Sequence, residues 1–110
     1  MTVVAYLQSA KPPGRFAVMR QDVDRAAGNA KRMAQLECDL GVSATYYFRF
    51  GGGTFKPDSM MDMARMGHEI GYHYETVDKA KGDCERAIEI FEREIRAFRE
   101  FVQVKTISMH

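Results

Sequence analysis

The sequence predicts an α/β fold built from parallel β/α units. Segments rich in strand-forming residues, such as residues 44–49 (ATYYFR), alternate along the chain with segments whose apolar residues recur at helical spacing, such as residues 28–40. The 110 residues, 45% of them hydrophobic, are enough for one domain or for part of one. Because strands that alternate with helices return to the same sheet through right-handed crossovers, this pattern indicates a parallel sheet.

The elements follow one another with short connections. We predict strands at residues 16–23, 44–49, 68–73 and 104–110, and helices at residues 28–40, 57–67 and 78–101. Gly41 suits the end of the first helix, and Pro57 suits the start of the second. Residues 1–15 form an N-terminal extension of undecided structure, in which residues 3–7 allow an added strand, and residues 16–110 form the domain.

Composition excludes several functional classes. The net charge of +1 argues against nucleic acid as a partner, because phosphate binding requires a basic excess. No apolar run approaches the roughly 20 residues of a membrane span, and the N-terminus lacks the pattern of a signal peptide. Cys38 and Cys84 lie far apart and near no histidine, so they are interpreted as free thiols, and the chain is predicted to be cytoplasmic.

Polar side chains gather where the predicted strands end. Because the carboxyl ends of parallel strands meet at one edge of a sheet, and because strand side chains alternate in direction, residues of the same parity share a face of their strand there. The residues that this argument places at the edge are Asp22, Asp24, Arg49, His73, Glu75 and His110. Two carboxylates on one face repel each other, and a cation relieves the repulsion, so this set favours a metal ligand with a neighbouring general base.

Each of these residues also has a simpler interpretation. An aspartate at a strand end often caps the next helix. His68 and His73 are five residues apart, which differs from the spacing of four in the helical zinc motif, so His68 is predicted to be structural. Arg49 either binds an anionic group or pairs with an aspartate of the site, and Tyr74 either packs or stacks on a sugar.

Four short motifs carry a family resemblance: RQDVDR, SATYYF, GHEIGYHYE and TISMH. Over residues 16–110 they resemble the polysaccharide deacetylases, carbohydrate esterases with a NodB-homology domain. The resemblance implies about half of an irregular (β/α) barrel. It also implies removal of N-acyl groups from carbohydrate, or from a related small amide, with a divalent metal such as zinc. It implies Asp22 as the general base and Asp24 and His73 as metal ligands. Arg49, Tyr74 and Glu75 are predicted to bind substrate from their position at the same edge of the sheet.

The chain also departs from the family pattern. Val77 stands where the resemblance expects a second ligand histidine, and Ser108-Met109-His110 stands where an Arg-Pro-Pro motif is expected. We therefore hypothesise that His110 replaces the missing ligand, with Glu75 as the fallback. The family's later motifs have no counterpart, so the alternative function is a truncated or pseudoenzyme module that binds carbohydrate or self-associates. Four strands cannot close a barrel, and their open edges predict a homodimer or larger aggregates.

Overall fold

A computed structural model describes residues 1–11 and 14–110, and these residues form nine helices and strands. They are α1 (Val3–Gln8), β1 (Arg20–Val23), α2 (Ala27–Asp39), β2 (Thr45–Phe48), α3 (Pro57–Arg65), β3 (Glu69–Tyr74), α4 (Thr76–Lys79), α5 (Cys84–Arg99) and β4 (Ile107–Met109). The predicted alternation of strands and helices is confirmed from β1 onward. No helix of the described residues is long and apolar enough to cross a membrane.

The four strands form one parallel sheet in the order β1-β2-β3-β4. The sheet is strongly curled. In a flat sheet with strands about 4.8 Å apart, the two outer strands would lie roughly 14 Å from each other. Here the guanidinium of Arg20 on β1 donates a hydrogen bond of 2.6 Å to Ser108 Oγ on β4. The curl therefore turns one face of the sheet into a narrow concave surface.

The convex face of the sheet carries the hydrophobic core. Alternate strand residues pack there against the helices. The largest buried side chains of this core are Tyr46, Phe48, Ile70 and Tyr72 from the strands and Met60, Met63 and Phe98 from the helices. The concave face is largely polar and includes Arg20, Asp22, Thr45, Tyr47, Glu69, His73, Thr106 and Ser108. This division follows from the period of two along a strand, which sends neighbouring side chains to opposite faces.

The N-terminal segment differs from the added strand that the sequence allowed, because residues 3–8 form the helix α1. Thr2 caps this helix, with its hydroxyl accepting a hydrogen bond from the Ala5 amide. The amides of Val3 and Val4 donate to Thr45 Oγ1 at 2.8 Å and to Glu69 Oε2 at 2.9 Å. These side chains satisfy first-turn amides that a helix leaves free, and so stabilise a short helix that begins with two β-branched residues. Residues 12 and 13 of the predicted extension lie outside the described residues.

The single long helix predicted for residues 78–101 is wrong, because the structure divides this segment into α4 and α5. Lys81 and Gly82 have φ values of 52° and 85°, which lie in the left-handed region and end α4. Asp83 then caps α5 by accepting a hydrogen bond from the Arg86 amide. Glycine followed by aspartate is a local stop and start signal. The prediction of one helix followed the apolar stripe of α5 and did not take this local signal into account.

Two of the predicted strands are shorter in the structure. The first begins at Arg20 instead of residue 16, and the last comprises only Ile107–Met109. The boundaries of the middle strands and of α2 agree with the prediction to within one residue. The functional positions are unaffected, because all of them lie at the carboxyl ends of the strands.

Candidate metal centre

Three side chains converge at the carboxyl edge of the sheet. Asp24 directly follows β1, His73 lies near the end of β3, and His110 directly follows β4. One donor atom from each of the three lies within 4.8 Å of the other two. Asp24 and His110 come from the two outer strands, so their meeting depends on the curl of the sheet.

The oxygen of Asp24 that faces the histidines has no hydrogen-bond partner. This atom, Oδ1, is buried although the Asp24 side chain as a whole is about half exposed. It lies 3.5 Å from His73 Nε2 and 3.3 Å from His110 Nε2, which is longer than an ordinary hydrogen bond. A buried carboxylate oxygen without a partner is destabilising unless a cation or a proton satisfies it.

The protein orients the His73 ring through its other nitrogen. His73 Nδ1 lies 3.1 Å from the carbonyl oxygen of Ser108, and a carbonyl can only accept, so Nδ1 carries the proton. In the neutral ring Nε2 then presents its lone pair towards Asp24. An outer hydrogen bond of this kind is the usual way in which proteins orient metal-binding histidines. The side chain of His73 is only 4% exposed, which fixes it further.

His110 is held from two sides. Its backbone amide donates to the Tyr74 carbonyl at 2.8 Å, which continues the pairing between β3 and β4. Its Nδ1 lies 3.7 Å from Glu75 Oε2, while Nε2 faces Asp24. Glu75 thus lies behind His110, on the side away from Asp24.

Asp22 lies beside these three residues and is held by Arg20. Arg20 Nε donates to Asp22 Oδ1 at 2.9 Å, and a terminal nitrogen of the same guanidinium donates to Oδ2 at 3.0 Å. These hydrogen bonds raise the pKa of Arg20. Asp22 Oδ2 is 4.0 Å from His73 Nε2. Sequence reasoning missed Arg20, although two residues apart on a strand is the spacing that puts both side chains on one face.

Arg49 pairs with Glu75, a partner that neither of the two interpretations from the sequence gave. Its terminal nitrogen lies 3.0 Å from both carboxylate oxygens of Glu75. The other terminal nitrogen of Arg49 donates to the backbone carbonyl of Asp24 at 3.0 Å, so the contact between Arg49 and Asp24 does not involve the carboxylate. Arg49 therefore anchors the loop after β1 to the loop after β3.

Tyr74 points to the convex face, opposite to His73, and packs edge-on against Phe91 at 5.7 Å between ring centroids. One side of Tyr74 also lines a surface cleft of about 440 Å³ beside the converging residues. The half-exposed Val77 and His110 line the same cleft.

His68 has the structural position that its spacing predicts. It is buried, its Nδ1 accepts from the Ala44 amide at 3.1 Å, and its Nε2 lies 2.8 Å from the Ala34 carbonyl. Both ring nitrogens are therefore used, and His68 joins α2 to β2 at the amino end of the sheet. It has no part in the candidate metal centre.

Comparison of the chain with protein-family models, with curated proteins and with solved structures finds no match. Asp24, His73 and His110, with the short motifs that contain them, are therefore the features that indicate a function.

Proposed function

We propose that this chain is a metal-dependent hydrolase of the polysaccharide-deacetylase type, which removes N-acyl groups from carbohydrate. Asp24, His73 and His110 would hold the divalent ion. Two imidazoles and one carboxylate are ligands that zinc prefers, so zinc is the proposed metal. The observation that carries the proposal is the buried Asp24 Oδ1, which lacks a hydrogen bond and lies between two histidine nitrogens. The curled parallel sheet with helices on its convex face supports a partial (β/α) barrel of the NodB type.

The two distances from Asp24 to the histidines are close to those between the ligands of a zinc ion. Two ligands bonded at about 2.1 Å to one tetrahedral zinc lie about 3.4 Å apart. Asp24 Oδ1 is 3.5 Å from one histidine nitrogen and 3.3 Å from the other. Two imidazoles and one carboxylate leave the fourth position open, as in catalytic zinc sites.

The residues around the ion have separate roles. When bound, the metal polarises the acyl carbonyl and lowers the pKa of water. Asp22, next to His73 but outside the ligand set, would take the proton of the attacking water as general base and return it to the nitrogen of the departing amine. The ion pair of Arg49 with Glu75, together with the hydrogen bond from Arg49 to the Asp24 carbonyl, keeps the loops that carry Asp24 and Glu75 in place.

A second candidate function is a carbohydrate-binding module without turnover. It is favoured by the pairing of both Asp22 oxygens with Arg20, which leaves Asp22 less accessible to water, and by Val77 at the position where the resemblance expects a ligand. Both candidates allow a bound metal, so metal binding does not separate them. A measurement of substrate hydrolysis does.

Metal binding is the first test. We expect the metal-free chain to bind one zinc ion in calorimetry, and Asp24→Asn to weaken binding at least 100-fold. Asp62→Asn is the matched control, since Asp62 is an ion-paired aspartate on α3. Equal zinc affinity in the parent and in Asp24→Asn would refute the site.

Catalysis is the second test. Release of acetate from N-acetylated chito-oligosaccharides is measured with and without zinc. We expect Asp22→Asn to lower the rate by about 10²–10⁴ while zinc stays bound, because a base is removed and no ligand is lost. Loss of zinc in Asp22→Asn, with Asp24→Asn unaffected, would reverse the two roles. Binding of zinc and of sugar without acetate release would favour the second candidate.

A further inference from the structure

We infer that Arg20 is a positioning residue that keeps Asp22 out of the ligand set formed by Asp24, His73 and His110. The inference rests on the proposed function and deepens it, since it explains how two aspartates at one strand end take different roles. Without such a device, Asp22 would compete with Asp24 for a bound cation, because both carboxylates lie near His73 Nε2.

Arg20 reaches both oxygens of the Asp22 carboxylate, and each oxygen keeps a lone pair that can accept a proton. One guanidinium nitrogen binds each oxygen, at 2.9 Å and 3.0 Å, in the planar bidentate geometry that is specific to arginine. A third hydrogen bond, of 2.6 Å, ties the guanidinium to Ser108 Oγ on β4. Arg20 is therefore fixed from both outer strands.

The position of Arg20 is also set from below by an aromatic ring. Its guanidinium carbon lies 4.8 Å from the centre of the Tyr47 ring, which is within the range of a cation–π contact. The Tyr47 hydroxyl donates to Thr106 Oγ1 at 2.9 Å, so the ring is itself anchored. The ring lies over Gly71, where an added Cβ would come within 2.4 Å of it. Arg20 thus rests on the ring of Tyr47, which in turn rests on Gly71, and it holds Asp22 through its guanidinium.

The grip has a direct consequence for metal binding. Asp22 Oδ2 is 4.0 Å from His73 Nε2, only 0.5 Å farther than Asp24 Oδ1 at 3.5 Å. A small rotation of a freed Asp22 side chain would bring it within reach of the ion. Loss of the bidentate grip should therefore add a ligand and tighten metal binding.

The test is a double-mutant cycle on zinc affinity, measured by competition with a chromogenic chelator. Arg20→Gln and Arg20→Lys are each made in the parent chain and in Asp22→Asn. We expect both to tighten zinc binding by about tenfold in the parent, because the freed Asp22 adds a ligand, and to have no effect in Asp22→Asn, where the carboxylate is gone. Arg65→Gln is the matched control, because Arg65 also pairs with an aspartate, Asp62 on α3, and neither residue belongs to the candidate metal centre.

The lysine variant separates the grip from the charge. Lysine keeps the positive charge but cannot hold both oxygens in one plane. Tightening by Arg20→Gln alone, or equal tightening in both backgrounds, would mean that only electrostatic repulsion was removed and would overturn the inference. Unchanged affinity would also overturn it. Absence of zinc binding in every chain, the parent included, would instead refute the proposed function.

Discussion

Replacement of Gly71 by alanine tests the packing of the concave face most directly. An alanine Cβ at this position would lie 2.4 Å from two carbons of the Tyr47 ring and 3.1 Å from the Thr106 carbonyl oxygen. The ring cannot move away freely, because it is 2% exposed, its hydroxyl binds Thr106, and Arg20 covers its other side. The substitution must therefore displace the ring or separate β2 from β3.

The expected cost combines two effects. Overpacking of a closely packed interior costs about 1–3 kcal/mol. Displacement of the ring also breaks the hydrogen bond from Tyr47 to Thr106, for about 1 kcal/mol more. The free energy of unfolding should thus fall by about 2–4 kcal/mol, which at a urea m value of about 2 kcal/mol/M lowers the unfolding midpoint by about 1–2 M.

The assay is urea unfolding followed by far-ultraviolet circular dichroism, with Gly28→Ala as the matched control. Gly28 lies in α2 and has no heavy atom within 4 Å of an added Cβ. Alanine is the better helix former, so Gly28→Ala should leave the midpoint unchanged or raise it by the equivalent of up to about 1 kcal/mol. If Gly71→Ala unfolds at the midpoint of the parent chain, the argument that Tyr47 needs a glycine beneath it is refuted.

Three further predictions concern stability and association. Tyr72→Phe removes the hydroxyl that donates to the buried Glu94, and should lower the free energy of unfolding by about 1–3 kcal/mol in the same urea assay. Lys31 lowers the pKa of Asp62 below its ordinary value of 3.8, so this pair stabilises the fold above pH 3.8 and the effect is lost as the pH falls through the lower, folded-state pKa; Asp62→Asn should remove this part of the acid dependence of the urea midpoint. The outer strands have open edges and Met109 is 68% exposed on β4, so we expect the chain to self-associate in sedimentation equilibrium at micromolar concentration, and Met109→Lys to weaken that association. A parent chain that sediments as a stable monomer would contradict the last of these.

Local patterns account for the elements and for the ligand candidates. Strand periodicity alone places Asp22 and Asp24 on one face and separates His73 from His68, because a side chain's direction along a strand depends only on its parity. The boundaries were less predictable where two signals competed. The apolar stripe of α5 outweighed the local stop at Gly82, and the β-branched start of α1 outweighed the capping residue Thr2.

The meeting of Asp24 with His110 was decided only by the tertiary structure. These residues follow opposite edge strands, and the flat sheet that strand order alone describes would leave them roughly 14 Å apart. Curling of the sheet brings their donor atoms to 3.3 Å. The same curl lets Arg20 reach Ser108 while it holds Asp22, a contact between residues 88 positions apart in the chain. The sequence by itself determined which residue types stand at the strand ends, because that depends on local alternation, whereas their distances and pairings depend on long-range packing across the sheet.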